Sequence, residues 1–245
     1  MAGPPFAPGF RDLALHAALS GLCPLIPLPF LDDWALDAIR RRMVREALRR
    51  HGLEPSAAEL EVLTGIRERR GGCLWTLFRG LVLRLPRRTF RRLLVFLALK
   101  DCADRASETF HEGYLLGIAV AKAELADGTP ESARRVRRAV RSTCAEIDPR
   151  PLNQALLRVF RGRRPLLREP AAALGRALRR SRRALRRHPA GDPGGADAAL
   201  QAQEPLIAPL VDGLARALWH EQGYLAALSQ VFESKLSAGS GPARP

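Results

Sequence analysis

Apolar positions recur at helical spacing along almost the whole chain, and no stretch alternates strongly enough to compete as a strand. A first helix is expected over Phe10 to Cys23, with Leu13, Ala17, Leu19 and Leu22 apolar. Pro24, Pro27 and Pro29 then hold the backbone extended, because proline fixes φ and disfavours helix in the residue before it. Asp32 or Asp33 is placed to cap a second helix that runs to about His51 and stops at Gly52. Trp34, Ala38, Met43 and Ala47 line one side of it.

The punctuation continues in the same way. Ser56 with Glu59 three residues on predicts a capping box and a short helix to Gly65. Arg67 to Gly72 reads as a polar loop, Cys73 to Leu85 as a helix, and Pro86 opens a long helix from Arg87 to about Ala126. Gly113 or Gly117 is expected to kink that helix or to admit a close neighbour. Gly128-Thr129-Pro130 closes one helix and opens the next. Ala133, Val136, Val140, Cys144 and Ile147 form an apolar stripe, followed by a short helix from Leu152 to Phe160. Leu174, Leu178, Ser181 and Leu185 make another stripe. The run 189–197 reads as a linker, and a final helix is expected from Leu206 to Leu236.

The expected fold class is therefore all-α: a multi-helix bundle with a basic helical arm and a C-terminal helix packing back on the body. The divisions are a body at 10–128, a basic amphipathic arm at 129–188, a linker at 189–205, a helix at 206–236 and a disordered tail at 237–245.

Composition changes this picture mainly through charge. Of 40 basic residues 37 are arginine, against 25 acidic ones, for a net charge of +15. The segment 134–188 alone holds 18 basic and 3 acidic residues, so it accounts for essentially the whole excess. A codon-usage habit would spread arginine more evenly, which points to a functional basic surface. Its candidate residues are Arg134, Arg135, Arg137, Arg138 and Arg141, then Arg161, Arg163 and Arg164, then Arg176, Arg179, Arg180, Arg183 and Arg187.

Short helices with Leu, Val and Ala on one face and arginine on the other suit an anionic lipid surface or an acidic protein partner. Nucleic acid is the alternative, since guanidinium groups fit phosphate. Against it, 134–188 holds a single aromatic, Phe160, so base stacking is poorly supplied.

Catalytic and metal signals are sparse. Glu108 and His111 form an ExxH on one helix face, but a carboxylate-bridged metal pair needs a second ExxH, and the sequence has none. Neither His111-Glu112 nor His220-Glu221 is followed by the second histidine a zinc helix requires. No nucleophile elbow, phosphate loop or dinucleotide fingerprint is present. No cofactor and no catalytic residue is expected, a metal-dependent helical enzyme being the remote alternative. FHEGYL (110–115) and WHEQGYL (219–225) echo each other, and Tyr114 and Tyr224 are expected to bury their rings at the core edge.

The four cysteines, Cys23, Cys73, Cys102 and Cys144, are isolated, as in a reducing compartment. Leu22 precedes Cys23 where a lipoprotein cleavage site wants a small residue, so a cleaved leader is not expected. The apolar run 74–99 carries Arg79, Arg84, Arg87, Arg88, Arg91 and Arg92, which exclude it as a simple membrane span at about 2.5–3.5 kcal/mol per mid-bilayer charge. A cytoplasmic protein, peripheral on the inner membrane, is expected.

Pro27-x-Pro29-Phe30-x-Asp32, a helix carrying Met43, and the His51-Gly52 stop resemble the uncharacterised helical domain of YcjF-type bacterial inner-membrane proteins. That domain is also found behind small GTPase domains. Asp33, Trp34 and the small-residue helix with Ala106, Thr109 and Gly117 extend the resemblance over about residues 20–125. His51 stands where the family has tyrosine. The resemblance implies a helical module at or in a membrane, without known catalysis.

Overall fold

Local sequence dictates several of the helix ends directly. In the computed structural model, Ser56 Oγ accepts from the Glu59 amide at 3.2 Å while Glu59 Oε2 accepts from the Ser56 amide at 2.9 Å, the reciprocal capping box. Thr129 Oγ1 likewise accepts from the Ser132 amide at 3.3 Å, with Pro130 at the first helical position. Gly65 takes the left-handed conformation, φ +60°, that ends a helix cheaply in glycine. Gly128, φ +62°, does not close the preceding helix as expected: that helix ends at Ala121, and Gly128 instead turns the chain toward Thr129.

The structure describes residues 9–26, 31–65, 90–187 and 194–239. These residues form ten α-helices and no strand: α1 (Phe10–Leu22), α2 (Leu31–Arg49), α3 (Ala57–Thr64), α4 (Phe90–Ala121), α5 (Pro130–Glu146), α6 (Arg150–Gly162), α7 (Arg168–Arg187), α8 (Gly194–Gln201), α9 (Glu204–Trp219) and α10 (Gln222–Gly239). Short 3-10 turns at Cys23–Leu25 and Arg164–Leu166 follow α1 and precede α7. The expected loop at 67–72, the helix at 73–85, Cys73 and Pro27 and Pro29 lie outside the described residues.

The core forms around α1. Ala14, Ala17, Ala18, Leu19 and Leu22 are fully buried, and α1 packs against α4, α9 and α2. Small residues set how closely the helices approach. A Cβ on Gly21 would lie 2.5 Å from Phe160 Cζ and 3.0 Å from the Cys102 carbonyl oxygen. Gly113 in α4 meets Leu13 and Met43 in the same way, so it admits close neighbours within one continuous helix.

Four expectations are corrected. The long helix ends at Ala121, not 126, because Lys122 to Asp127 form turns that bring the chain back to α5; its expected start at 87 lies outside the described residues. The run 189–205 contains α8, which buries Ala196 and Leu200 against α7 and α2. The expected single helix 206–236 is two helices. The Glu221 amide bonds back to Leu218 O, a tightened last turn, and Leu225 bonding to Glu221 O starts α10. The polar HEQG run offers no side chain to extend the stripe of Leu210, Leu214 and Leu218, and the packing partners change there. Residues 237–239, assigned to a tail, belong to α10.

Asp32 and Asp33 are corrected too. The helix starts at Leu31, so both lie in its first turn rather than at its cap, where a carboxylate still favours the positive end of the dipole.

The basic segment is woven into the bundle. The apolar faces of α6 and α7, with Leu152, Leu156, Phe160, Leu174 and Leu178, are buried. α6 packs on α4 and α9, α7 on α2 and α8, and α5 on α3, α4 and α10. The C-terminal helices pack back as expected: α9 covers α1 and α10 lies along α5.

Candidate functional site

Two features stand out from the packed body: the distribution of arginines, and a cleft beside α4.

The sequence places thirteen arginines in one candidate surface; the fold divides them. Arg137 is 7% exposed and bonds Glu112 Oε1 at 3.1 Å, so it serves the interior rather than a binding surface. Arg135 pairs with Glu124 at 3.0 Å. Arg134, Arg138 and Arg141 are exposed on α5. Arg161 is exposed and lies over the Phe96 ring at 4.7 Å, while Arg163 is half-buried near Gly213 and Arg164 is exposed.

Arg176, Arg179, Arg180 and Arg183 are exposed at helical spacing along α7, and Arg168 begins the same face. None of these five has an ion-pair partner among the described residues. Arg187 ends α7, and its side chain lies outside what the structure describes. Leu166, in the turn leading into this face, is 61% exposed between Arg164 and Arg168. The α5 and α7 arginines thus lie on helices that pack against different parts of the body, and the α7 set forms the longest unpaired face.

The cleft has a volume of about 820 Å³ and lies between α4, α5, α6 and α10. Asp101, Asp104 and Glu108 line it from α4, and Asp33 from α2. Arg137, Arg141 and Cys144 line it from α5, Asn153 from α6, and Tyr224 and Leu228 from α10.

A buried charge network closes one end. Arg40 of α2 is 1% exposed, with Nη2 3.2 Å from Glu108 Oε2 and Nε 3.4 Å from Glu112 Oε2. These are ion-pair contacts without hydrogen-bond angles, and Arg137 completes the charge balance at Glu112.

The ExxH spacing does put Glu108 and His111 on one face, but their neighbours are not ligands. His111 Nε2 lies 2.6 Å from Tyr224 Oη, and His111 Nδ1 lies 3.3 Å from Ser107 Oγ. Tyr224 donating to Nε2 leaves Nδ1–H to donate to Ser107, which satisfies both ring nitrogens. Among the described residues no group of three or more His, Cys, Asp or Glu is arranged to hold a metal.

Burial is the largest influence on His111 and holds it below the usual histidine range, against the opposing pull of Ser107, Glu112 and Glu108. Burial also pushes Tyr224 well above the usual phenol range. His16 is likewise lowered by burial, against Glu46. A histidine with a depressed folded pKa contributes stability that is complete above its unfolded value, about 6.5, and is lost as pH falls through the folded value. Urea denaturation should therefore show stability declining as the pH drops below about 6.5; a flat profile between neutrality and about pH 5.5 would contradict it.

The two echoed motifs meet here. His111 of the first touches Tyr224 of the second, and Tyr114 Oη lies 3.2 Å from Ser229 Oγ. Both tyrosines are half-buried with a bonded hydroxyl, as expected from the sequence. Sequence reasoning missed Arg40, which sits in a run of three arginines of which the fold buries two, Arg40 and Arg42. It also missed Asp33 as a cleft residue.

No family model, characterised protein or solved structure matches the chain. The resemblance to the YcjF-type domain therefore rests on its residues alone. Of these, Met43 is buried beside Gly113, Trp34 packs half-buried against the core, and Gly52 turns the chain after α2 at φ +73°. Among the described residues no helix is long and apolar enough to cross a membrane.

Proposed function

We propose that this is a non-enzymatic helical protein that associates peripherally with an anionic membrane surface through the arginine face of α7. The observation that carries the reading is the run of exposed Arg168, Arg176, Arg179, Arg180 and Arg183, without ion-pair partners among the described residues, on a helix whose apolar face is already buried. Because Leu174 and Leu178 serve the core, α7 cannot turn that face into a bilayer. Attraction is then electrostatic, at about 1 kcal/mol for each basic residue near an anionic surface. Shallow apolar contact falls to Leu166 at the head of the face. α7 carries no aromatic residue, which disfavours single-stranded nucleic acid as the partner.

Vesicle co-sedimentation tests this. The protein should pellet with phosphatidylglycerol-containing vesicles and not with phosphatidylcholine alone, lose binding as salt rises, and lose most of it when Arg176, Arg179, Arg180 and Arg183 are replaced by glutamine. Equal pelleting on both vesicles, indifferent to salt, would sink the proposal. Tighter, salt-sensitive binding to a DNA or RNA duplex than to the vesicles would transfer the same face to nucleic acid.

A further inference from the structure

Among the described residues four large apolar side chains are exposed: Phe96, Leu97, Leu166 and Leu206. Leu206 is on α9, and the fold brings the other three to one corner. α4 and α6 run antiparallel. Asn153 Nδ2 donates to Asp104 Oδ1 at 2.9 Å, and eight residues away along each helix Arg161 lies over the Phe96 ring. Phe96 and Leu97, each 40% exposed, therefore stand beside the end of α6. There the chain turns through Arg164–Leu166 toward α7, and Arg164, Pro165 and Leu166 are all exposed.

The charge around this corner is of one sign. Arg164 and Arg168 flank Leu166, both exposed and without ion-pair partners among the described residues. The Arg161 guanidinium stays 4.7 Å from the centre of the Phe96 ring, a cation held against an apolar surface. Glu169 is the single acidic residue between Pro149 and Ala190, and none occurs from Arg69 to Lys100. Both stretches of chain that meet at the corner are thus almost free of carboxylates. An apolar patch framed by uncompensated cations matches the boundary between anionic headgroups and acyl chains. A second copy of this chain fits it poorly, because a two-fold contact would set Arg164 and Arg168 against their own equivalents.

We propose that Phe96, Leu97 and Leu166 form the point at which the protein inserts into an anionic bilayer, with Arg164 and Arg168 at the headgroups. The proposal rests on the membrane reading above and adds an orientation to it. The α4–α6 corner enters the boundary, and the arginines of α7 lie along the surface behind it. Binding then has two parts. Salt screens the arginines, whereas the apolar contact of the corner is not screened and slows dissociation.

The test uses the full chain and phosphatidylglycerol-containing vesicles. Phe96→Ser, Leu97→Ser and Leu166→Ser combined should weaken binding at least about tenfold, since three large side chains leave the acyl boundary. The association rate, which the arginines set, should change little, and circular dichroism should show the fold retained. Depth is read by tryptophan fluorescence. Leu166→Trp should gain quenching by lipids brominated in their acyl chains, above that of the unsubstituted chain. Gln230→Trp, at an exposed position of α10, should gain none. Unchanged affinity of the triple variant, or no added quenching from Leu166→Trp, would overturn the proposal and leave the electrostatic reading standing. Failure of the unsubstituted chain to bind these vesicles would remove both. A lower mass for the triple variant in sedimentation without vesicles would give the corner to contacts between copies and overturn the proposal.

Discussion

Replacing Phe160 with alanine lowers the stability of the whole protein by about 3–5 kcal/mol. The ring is fully buried although it lies within a strongly basic stretch, RVFRGRR. It sits directly over Gly21 of α1, where even a Cβ would come within 2.5 Å of it. Truncation therefore opens a cavity between α1, α4 and α6 at the centre of the bundle, and the tight backbone of α1 limits collapse into it. Urea denaturation followed by circular dichroism measures the effect. A separately folded arm predicts a different result: a local loss of helix with an unchanged midpoint for the remainder. That outcome would contradict the packing described here.

The same residue shows where the sequence is legible. Ser56 with Glu59, and Thr129 with Pro130, reveal their roles because a cap is satisfied within a few residues of itself. The helical stripes of α6 and α7 were equally readable, and so was the fact that one side of each is arginine-rich. What covers their apolar sides was not. The partner of Phe160 lies 139 positions away at Gly21, and nothing local distinguishes a face that meets a bilayer from one that meets α1.

The cleft repeats the point at the level of single groups. ExxH spacing correctly put Glu108 and His111 on one face of α4. Whether such a face holds a metal or an ion-pair network depends on what arrives opposite. Here it is Arg40 from α2 and Tyr224 from α10. The repeated HE–GYL pattern pointed at both contact points, since His111 and Tyr224 come from its two copies. It did not say that they touch.

Replacing Arg40 with methionine costs about 3 kcal/mol, the low end of the range for breaking a buried ion pair. The low end applies because Glu108 is 40% exposed and can be rehydrated. Glu112 cannot: its side chain is 12% exposed, and without Arg40 it keeps the ion pair with Arg137 at 3.1 Å. The cost thus comes mainly from a buried carboxylate that has lost a counter-charge, more than from the lost attraction itself. This makes a sign prediction that a packing defect would not share. Glu112→Gln in the Arg40→Met background removes the excess negative charge and keeps a carbonyl oxygen to accept from Arg137, so the double variant should be more stable than Arg40→Met alone. A packing defect at Arg40 would leave the second substitution neutral or further destabilising. Thermal or urea denaturation of the two single variants and the double variant reads the coupling directly. An additive loss would show that Arg40 acts through its methylene stem, not through its charge.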